Sequence, residues 1–498
     1  SAVDELAKSP YIEWAEPDYL AYAAAVPNDP LLSQQWALDQ ISAPAAWDVV
    51  TGAPAVVIAV LDSGIDVDHP DLDARLWTNP GETPGNGIDD DGNGHVDDLR
   101  GWNFIAQTNE VDDDDGHGTQ VAGAAVAETD NGAGVAGVCW NCRVMAVKVM
   151  QPGGVANYSD IALGVYYAAD KGAEVINLSL GGYANSNTLR AAIEAAAQGA
   201  VIVAAAGDDN SNDPFYPAAY PGVLAVGAAT SADTRAVFSN YGDWVDAAAP
   251  GVNITTTLNG GSYGPADGTS LSAPLVSGLA GLVWTQHPDW TPALVQAQVL
   301  QTADPIGADG LGSGRINAAA AVTLAPHPLL EITATAINDD LLGRPDPGAV
   351  SALAVTIGND WLDALGVTGT LTTADPYVTV ITGTASFGDI ASSERAAGSP
   401  AFGFEVASGA GYNHPILFTL SLWTNGGVYT ATLPLTITTV SANQTFCGTI
   451  ASDQTWTSDK TYIINCNVGI APGRTLTIQP GTVVKFNGNY SLNVGGQL

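Results

Sequence analysis

The chain has 498 residues, of which 46% are hydrophobic, so it holds enough apolar material for packed cores and is not a disordered chain. It carries 52 Asp and Glu against 14 Lys and Arg, a formal net charge of −38. That charge disfavours nucleic acid as a partner, because a phosphate backbone requires clustered basic side chains. No apolar run approaches the ~20 residues of a membrane-spanning helix.

Different sequence patterns follow one another along the chain, and they predict several domains. Residues 1–26 form a short acidic and then Ala-rich piece, too small to fold alone. From residue 55 to about residue 324, apolar runs alternate with helical patterns such as 119–128 and 188–198. The continuous apolar runs are 56–61, 144–149, 175–180, 200–206 and 223–228. Such runs indicate strands covered on both faces, and their alternation with helices predicts a parallel sheet in an α/β domain.

The residue composition and the pattern of polarity change after Pro326. Residues 329–442 are rich in Thr, Val and Gly and alternate in polarity, which predicts an antiparallel β-sandwich of immunoglobulin or fibronectin type. From residue 443 the pattern shifts again, and residues 473–486 resemble the opening coils of a parallel β-helix. The chain starts without Met or a signal peptide and ends inside this pattern, so we expect a fragment of a longer precursor.

The four cysteines are too few for a scaffold built on disulfides. Cys139 and Cys142 have no further ligands at zinc spacing, which leaves a local disulfide or two buried thiols, with the disulfide preferred. Cys447 and Cys466 lie in one strand-like segment and are expected to be cross-linked outside the cell.

Two segments carry residues of catalytic type. Residues 60–66 place Asp62 after a buried strand, at the carboxyl edge where α/β proteins build their sites. Residues 115–123 place His117 between two glycines at the start of a helix, which lets other backbone approach it. Either residue alone is more often structural, and only their combination with a nucleophile is informative.

The third segment, residues 267–274, supplies that nucleophile. Ser270 opens the apolar helix 271–287, where the helix N-terminus favours developing negative charge. Pro274 is expected in the first turn of this helix, where proline is tolerated. The order Asp, His, Ser is the order of subtilisin and differs from that of chymotrypsin and of the α/β-hydrolases. With all three local contexts matching, residues 1–325 resemble the subtilisin-like serine proteases.

The resemblance implies a role for each residue. Ser270 attacks the peptide carbonyl, His117 takes and returns the proton, and Asp62 fixes the tautomer of His117. It also implies that protein or peptide substrates lie as an extended strand between two segments of the cleft. The substrate-binding residues are expected to be Gly154, Val155, Ala156, Ser179, Leu180 and Gly181.

The resemblance further places Phe215 near the floor of the S1 pocket, which predicts a shallow pocket and small P1 residues. An inhibitory propeptide is implied, with its end at residues 1–26 and autoprocessing within 21–27. The chain's own propeptide is therefore an expected partner. The catalytic domain is expected to span 27–326, followed by the sandwich at 329–442 and the β-helix at 443–498.

One position departs from the family pattern. Asp208 stands where the family usually has an Asn that donates to the oxyanion, and an ionised carboxylate cannot donate. Activity is not excluded, because some members of the family also have Asp there. Asp208 and Ser270 are thus the expected oxyanion residues, with attenuated activity as one expectation. The alternative is a catalytically impaired surface or adhesion protein that retains the protease fold.

Structural calcium is the expected cofactor. Residues 89–98 match the start of an EF-hand-type loop, with Asp89, Asp91, Asn93 and Asp97 as candidate ligands, although Arg100 stands where the closing Glu is required. The alternative is a solvated acidic loop. The resemblance implies a second site, near the mature N-terminus, that uses Asp29 and Asp71 with the loop at 130–131.

Together these features predict a secreted, calcium-stabilised serine endopeptidase. Its C-terminal β-rich modules are expected to contact a cell surface or a polysaccharide, or to bind nothing.

Overall fold

The computed structural model describes residues 26–307, 310–338, 344–411, 413–427, 429–439, 442–458 and 460–498. The expected propeptide end at 1–26 therefore lies outside the described residues, except for Val26. The chain divides into two compact units at the junction of Ala325 and Pro326. Within the described ranges, no helix is both long enough and apolar enough to cross a membrane.

The first unit is built on a seven-stranded sheet in which every neighbouring pair is parallel, in the order β2-β3-β1-β6-β7-β8-β9. Two antiparallel pairs, β4-β5 and β10-β11, lie outside this sheet. The strands are β1 Val57–Asp62, β2 Gly101–Asn103, β3 Arg143–Lys148, β4 Met150–Gln151, β5 Val155–Ala156, β6 Val175–Leu178, β7 Val201–Ala205, β8 Val223–Ala229, β9 Ala247–Pro250, β10 Ile254–Leu258 and β11 Ser262–Ala266.

Helices cover both faces of this sheet. The α-helices are α1 Trp36–Gln40, α2 Ala43–Trp47, α3 His117–Val126, α4 Tyr158–Asp170, α5 Asn187–Ala196, α6 Thr269–Gln286, α7 Pro292–Gln301 and α8 Ala318–Thr323, with 3₁₀ turns at Leu32–Gln34 and Asp73–Arg75. In β1, Ile58 and Val60 pack into the core that contains α3 and α6, whereas Ala59 and Leu61 pack into the core that contains α4 and α5. The prediction of a parallel α/β unit with buried strands is confirmed.

The sheet order places β1 at the point where the chain reverses direction across the sheet, since its neighbours are β3 and β6. Crevices outside the carboxyl ends of strands form at such switch points. Asp62 is the last residue of β1 and therefore faces this crevice. The topology by itself thus marks the end of β1 as the place to look for a site.

The second unit begins with two antiparallel sheets that share one apolar core. One sheet has the order β12-β13-β18-β15, with β17 also paired to β13, and the other has the order β16-β14-β19-β20. The strands are β12 Leu330–Asn338, β13 Val350–Asn359, β14 Ala364–Thr373, β15 Val378–Thr382, β16 Thr384–Ile390, β17 Glu394–Ala397, β18 Phe402–Val406, β19 Pro415–Thr424 and β20 Tyr429–Thr438, with 3₁₀ turns at Ser408–Ala410 and Asn425–Gly427.

The remaining strands of the second unit pair in parallel around a separate small core. They are β21 Ala442–Ile450, β22 Gln454–Trp456, β23 Lys460–Ile470, β24 Leu476–Ile478, β25 Val483–Phe486 and β26 Leu492–Val494. Gln454 pairs with Leu476 and Thr461 with Val483, so successive stretches of chain stack in register. Cys447 and Cys466 form a disulfide between β21 and β23, and Cys139 and Cys142 form another in the first unit.

Candidate active site

Asp62 and His117 meet at the end of β1. The Asp62 side chain is fully buried, and its Oδ1 lies 2.8 Å from Nδ1 of His117. The same oxygen accepts a hydrogen bond from the backbone N–H of Ser63 at 2.7 Å. The charge of Asp62 raises the pKa of His117, an effect that burial of the imidazole opposes. The pair therefore holds one ring nitrogen as a donor and leaves the other free for proton transfer.

Close backbone contact fixes the helix that carries His117. A Cβ on Gly118 would lie 2.0 Å from the carbonyl oxygen of Gly64 and 3.1 Å from Cβ of Asp62. Only glycine therefore lets α3 approach the end of β1 so closely. Gly118, the second of the two glycines around His117, is therefore required for steric fit and not for chain flexibility.

Asp113 organises the same region, although the sequence analysis did not select it. It accepts hydrogen bonds from Ser63 Oγ at 2.8 Å and from Thr119 Oγ1 at 2.6 Å, and the Ser63 hydroxyl in turn accepts from the N–H of Gly118. Burial alone would raise the pKa of Asp113, but hydrogen bonds from Thr119 and neighbouring N–H groups lower it. The signal available in the sequence was an acidic run, 112–115, immediately before the Gly-His-Gly motif.

Ser270 is the second residue of α6, which begins at Thr269. Its Oγ donates to the carbonyl oxygen of Ser179 at 3.1 Å, and Ser179 Oγ donates to the carbonyl oxygen of Ser270 at 2.8 Å. Among the described residues, no hydrogen bond joins Ser270 to His117. The structure thus brings together Asp62 with His117, and Ser270 with Ser179.

Pro274 explains why the Ser270 carbonyl is available to Ser179. The expectation that Pro274 lies in the first turn is wrong, because α6 begins at Thr269 and Pro274 is inside the helix. Proline has no N–H, so it cannot donate to the carbonyl four residues earlier, which is that of Ser270. Ser179 Oγ supplies the missing donor. The intrahelical hydrogen bond that is missing at Pro274 is thus replaced by a hydrogen bond that joins α6 to the segment at 179–181.

A cleft of about 230 Å³ adjoins His117. Of the predicted substrate-binding residues, Gly154, Ala156, Ser179, Leu180 and Gly181 line it. Val155 lies between two of them, with its side chain 61% exposed. The remaining lining residues were not predicted: Asp115, Met150, Tyr158 and Ile161. The last two are three residues apart at the start of α4, a helix-face spacing that could have identified them.

Phe215 lies behind the segment at 179–181. A Cβ on Gly181 would lie 2.4 Å from Cε1 of Phe215, and one on Gly207 would lie 3.2 Å from Cδ1. The ring of Tyr183 packs edge-on against it at 5.1 Å between centroids. The phenyl ring therefore fills the space between the two glycines.

Asp208 is close to the N-terminus of α6. Its Oδ1 accepts a hydrogen bond from the N–H of Thr269 at 2.8 Å, and Thr269 Oγ1 accepts one from the N–H of Gly207 at 3.0 Å. Removal of the carboxylate from water raises the pKa of Asp208, while the bond from Thr269 lowers it. The carboxylate thus caps the helix that carries Ser270, a function that the sequence analysis did not assign to it.

The acidic loop has a different ligand geometry from the one predicted. Oxygens of Glu82, Asp91 and Asp98 lie within 4.8 Å of one another. Glu82 and Asp98 are buried, and Oε2 of Glu82 has no hydrogen-bond partner among the described residues. Lys171 forms ion pairs with Asp91 and with Asp98, so part of the negative charge is already compensated.

The other three predicted ligands, Asp89, Asn93 and Asp97, accept hydrogen bonds from backbone N–H groups and so stabilise the turns of this loop. Asp89 accepts from the N–H groups of Gly92 and Gly94, both at 2.8 Å, and Asp97 accepts from those of Asn86 and Gly87 at 3.1 and 2.9 Å.

Asn93 contacts the cluster as a donor. Its amide donates to Asp98 Oδ2 at 2.8 Å, and its own Oδ1 accepts from the N–H of His95. Glu82 could not be selected from an EF-hand pattern because it lies before the loop.

Asp29 and Asp71 come together with the loop that contains Asp130, as the resemblance implied. Asp29 Oδ2 accepts from the N–H of Asp130 at 2.9 Å, and Asp71 Oδ1 accepts from the amide of Asn131 at 2.8 Å. Both carboxylates are buried, and Oδ1 of Asp29 has no partner among the described residues. Burial raises the pKa of Asp29, and the charge of Asp71 adds to that shift. Two buried carboxylates with an unpaired oxygen fit a hard cation such as calcium.

Comparison with known proteins identifies the family of the first unit. Residues 53–326 match the Subtilase family. The thermophilic serine proteinase of Bacillus sp. (strain AK1) is 41% identical over 327 residues, which are 65% of this chain and 76% of that protein. Thermitase of Thermoactinomyces vulgaris is 37% identical over 300 residues, 59% of this chain and 99% of that protein. A solved protease from Pseudoalteromonas arctica is 36% identical with a TM-score of 0.52, covering 60% of this chain and 99% of that one.

The protein is a subtilisin-like serine endopeptidase, a hydrolase of peptide bonds. It has a parallel α/β unit with an Asp–His pair at the carboxyl edge of the sheet, and these relatives are proteases of that class. The chain belongs to the subtilase family.

Proposed function

We propose that the chain hydrolyses peptide bonds through the triad Asp62, His117 and Ser270 and a covalent acyl-enzyme. The observation that carries this proposal is the 2.8 Å bond between Asp62 Oδ1 and His117 Nδ1 beside the cleft. Because Asp62 accepts, Nδ1 carries the proton and Nε2 presents the lone pair that a general base needs.

The chemistry follows from these positions. Ser270 Oγ bonds to the carbonyl carbon while its proton moves to His117 Nε2, and His117 then gives that proton to the leaving amine. A water molecule repeats the sequence and releases the acid. Since the Ser270 hydroxyl donates to the Ser179 carbonyl in the structure, it must rotate before it can donate to His117.

The oxyanion of the tetrahedral intermediate would be stabilised by the N–H of Ser270 and by Asp208. A carboxyl group donates only when it is protonated. The raised pKa of Asp208, caused by loss of solvent around the carboxylate, favours that form. His117 must be neutral at the same time, and the two requirements oppose each other as pH changes. We therefore expect attenuated activity at neutral pH.

The substrates would be proteins or peptides with a small P1 residue. Phe215 occupies the space between Gly181 and Gly207, which supports a shallow S1 pocket. The same preference fits autoprocessing in the Ala-rich stretch at 21–27, before Val26 or Pro27, by which the inhibitory propeptide would be removed. Residues 1–25 are outside the described residues, so this part rests on the sequence.

Calcium would stabilise the fold at two places. Asp29 and Asp71, with the loop at 130–131, supply buried carboxylates that form no ion pair with a basic side chain among the described residues. Glu82 joins Asp91 and Asp98 at the acidic loop, where Lys171 competes with a metal ion. The first group therefore has the stronger need for a cation. The metal would supply charge neutralisation and take no part in catalysis.

The rest of the chain supports a multidomain secreted protein. The catalytic domain would span 27–326 and the β-sandwich 329–442, as the two antiparallel sheets with a common core suggest. Residues 443–498 would be the first coils of a parallel β-helix, a reading supported by the in-register parallel pairing of β21 to β26. Two disulfides fit an extracellular location.

The decisive experiment is hydrolysis of a peptide library by the purified chain, with Ser270→Ala as the paired variant. We expect loss of about 10⁶-fold in kcat, as for the same type of replacement in subtilisin, with unchanged thermal stability. A serine-reactive phosphonate should label the parent chain and not the variant. Absence of both hydrolysis and labelling would favour an impaired surface or adhesion protein, for which Asp208 is the motivating observation.

A further inference from the structure

One face of the second unit has an unusual composition. Strands β14, β16, β19 and β20 turn alternate side chains into the core and leave the others outside. We call the outer set the hydroxyl face. It consists of Thr368, Thr370, Thr372, Thr384, Ser386, Leu417, Thr419, Ser421, Trp423, Thr430, Thr432, Pro434 and Thr436. None of these is charged, in a chain whose net charge is −38.

The carboxylate on these four strands, Asp389, lies beyond the regular pairing that forms the two hydroxyl-bearing ends of β14 and β16. Asp389 follows the irregular pairing near the end of β16, where its Oδ1 accepts from the N–H of Gly366 at 2.7 Å. The uncharged character of the hydroxyl face is therefore a property of the regularly paired part of the sheet.

The strand registers align the hydroxyls in rows across the sheet. One row is Thr384, Thr370, Ser421 and Thr432, and the next is Ser386, Thr368, Trp423 and Thr430. Neighbouring strands are about 4.8 Å apart and alternate residues about 6.8 Å apart along a strand. A row of four thus spans roughly 14 Å, and the two rows form a regular array of hydrogen-bonding groups around one indole ring.

These groups are available to a ligand. None of the hydroxyls in the two rows has an intramolecular hydrogen-bond partner among the described residues. The Trp423 ring is 37% exposed, and Leu417 on the same strand is 60% exposed. A hydroxyl can donate and accept, so the array can satisfy a ligand that is itself rich in hydroxyls. The indole adds a flat apolar surface with a polar N–H edge.

We propose that the hydroxyl face binds an uncharged polysaccharide of the extended, β-linked type, such as cellulose or chitin. The absence of basic side chains argues against phosphate, sulfate or carboxylate polymers, because an anionic polymer would be repelled by the net charge. A neutral sugar chain presents hydroxyls along its edges, which match the rows, and C–H faces, which stack on Trp423. This inference concerns the second unit and does not depend on the peptidase activity proposed above.

The test measures partition of the full chain onto microcrystalline cellulose and onto β-chitin, with carboxymethyl-cellulose beads as the charged comparison. Trp423→Ala should lower the partition coefficient about tenfold, and the pair Thr370→Val with Thr432→Val should lower it severalfold. Valine keeps the strand preference and nearly the shape of threonine, and it replaces the hydroxyl with a methyl group that cannot form hydrogen bonds. Tyr490→Ala, which removes a 40% exposed ring elsewhere in the unit, and Thr379→Val, on the other sheet, should leave partition unchanged.

The outcomes separate the alternatives. Retention by the parent chain that Trp423→Ala lowers about tenfold, with peptide hydrolysis unchanged, supports the proposal. No retention on either neutral polymer overturns it, as does equal retention of the parent chain and Trp423→Ala. Concentration-dependent dimerisation, measured by sedimentation velocity and removed by Trp423→Ala without any polysaccharide retention, would assign the face to a second copy and also overturn it. Failure of peptide hydrolysis alone leaves the binding result intact.

Discussion

The two halves of the cleft are held by different means. The histidine half consists of Asp62, Ser63, Asp113, His117 and Gly118, which are joined by buried hydrogen bonds and by the contact of Gly118 with Gly64. These bonds form without substrate, although Oδ2 of Asp62 is buried and has no partner among the described residues.

The serine half consists of Ser179, Asp208, Thr269, Ser270 and Pro274. Here the Ser270 hydroxyl donates to a backbone carbonyl, so it must change partner before it reacts. Asp208, where the family resemblance leads us to expect Asn, also lies here. In the proposed mechanism, the fold therefore preorganises the base His117, whereas the nucleophile Ser270 depends on rearrangement and the oxyanion donor Asp208 on protonation.

After the loss expected for Ser270→Ala, the next largest effect tests the histidine half. Asp62→Ala should lower kcat by about 10⁴-fold, the magnitude found when this carboxylate is removed from related triads. Asp62 positions His117 and raises its pKa, so the variant's residual activity should extend to lower pH than the parent's. The measurement is the pH profile of kcat/KM, with Asp243→Ala, an exposed carboxylate, as the control. An unshifted acid limb would contradict the electrostatic part of this argument.

Phe215→Gly tests the wall behind the serine half. Removal of the phenyl ring from the space between Gly181 and Gly207 should open the S1 pocket. The ratio of kcat/KM for P1 Phe over P1 Ala should rise at least about tenfold, since each buried methylene contributes roughly 1–3 kcal/mol to discrimination. A peptide series that varies only P1 provides the measurement. An unchanged ratio would show that Phe215 does not limit the pocket.

Asp208→Asn should raise kcat/KM severalfold at neutral to alkaline pH. Asn can still accept from the Thr269 N–H, and its amide adds an oxyanion donor that needs no proton uptake. Because burial raises the pKa of Asp208, the parent chain gains the protonated donor as pH falls. The ratio of kcat/KM of Asp208→Asn to that of the parent should therefore fall towards one at acidic pH. Asp213→Asn, which changes an exposed carboxylate, is the matched control. A loss of activity across the whole pH range would mean that the negative charge at the start of α6 matters more than a second donor.

Chelation is expected to have the smallest effect on rate and a clear effect on stability. A cation held only by the folded state contributes about 2.7 kcal/mol at a hundredfold excess over Kd. EDTA should therefore lower the Tm. Asp71→Asn should remove most of that response, because Asp71 and Asp29 are the two buried carboxylates that the loop after α3 brings together. Asp89→Asn should remove little of it. If Asp71→Asn responds to EDTA like the parent chain, the acidic loop holds the metal.

Much of the first unit could be predicted because its signals are local. Continuous apolar runs identified β1, β3, β6, β7 and β8, and Gly118, next to His117, matched the expected close approach of other backbone. The strands β2, β9, β10 and β11 were not predicted. Their sequences are short or polar, and tertiary pairing determines them more than local preference does.

The site could be predicted less completely, because several of its contacts join distant parts of the chain. Asp113 acts through Ser63, and Glu82 reaches the acidic loop from outside the motif. The capping of α6 by Asp208 depends on the meeting of two loops. Motifs identify which residues have the right chemistry, but they do not show which hydrogen bonds those residues already have.

At the Ser270 carbonyl, the Ser179 hydroxyl takes the place of the N–H that Pro274 lacks, and this replacement has an evolutionary consequence. Without an N–H at residue 274, the Ser270 carbonyl depends on Ser179 Oγ. An amino acid with an N–H at 274 would satisfy that carbonyl within the helix and release Ser179 from the task. Residues 179 and 274 should therefore change together among related sequences. In laboratory evolution, a lineage that loses the hydroxyl at 179 should recover fitness by replacing the proline.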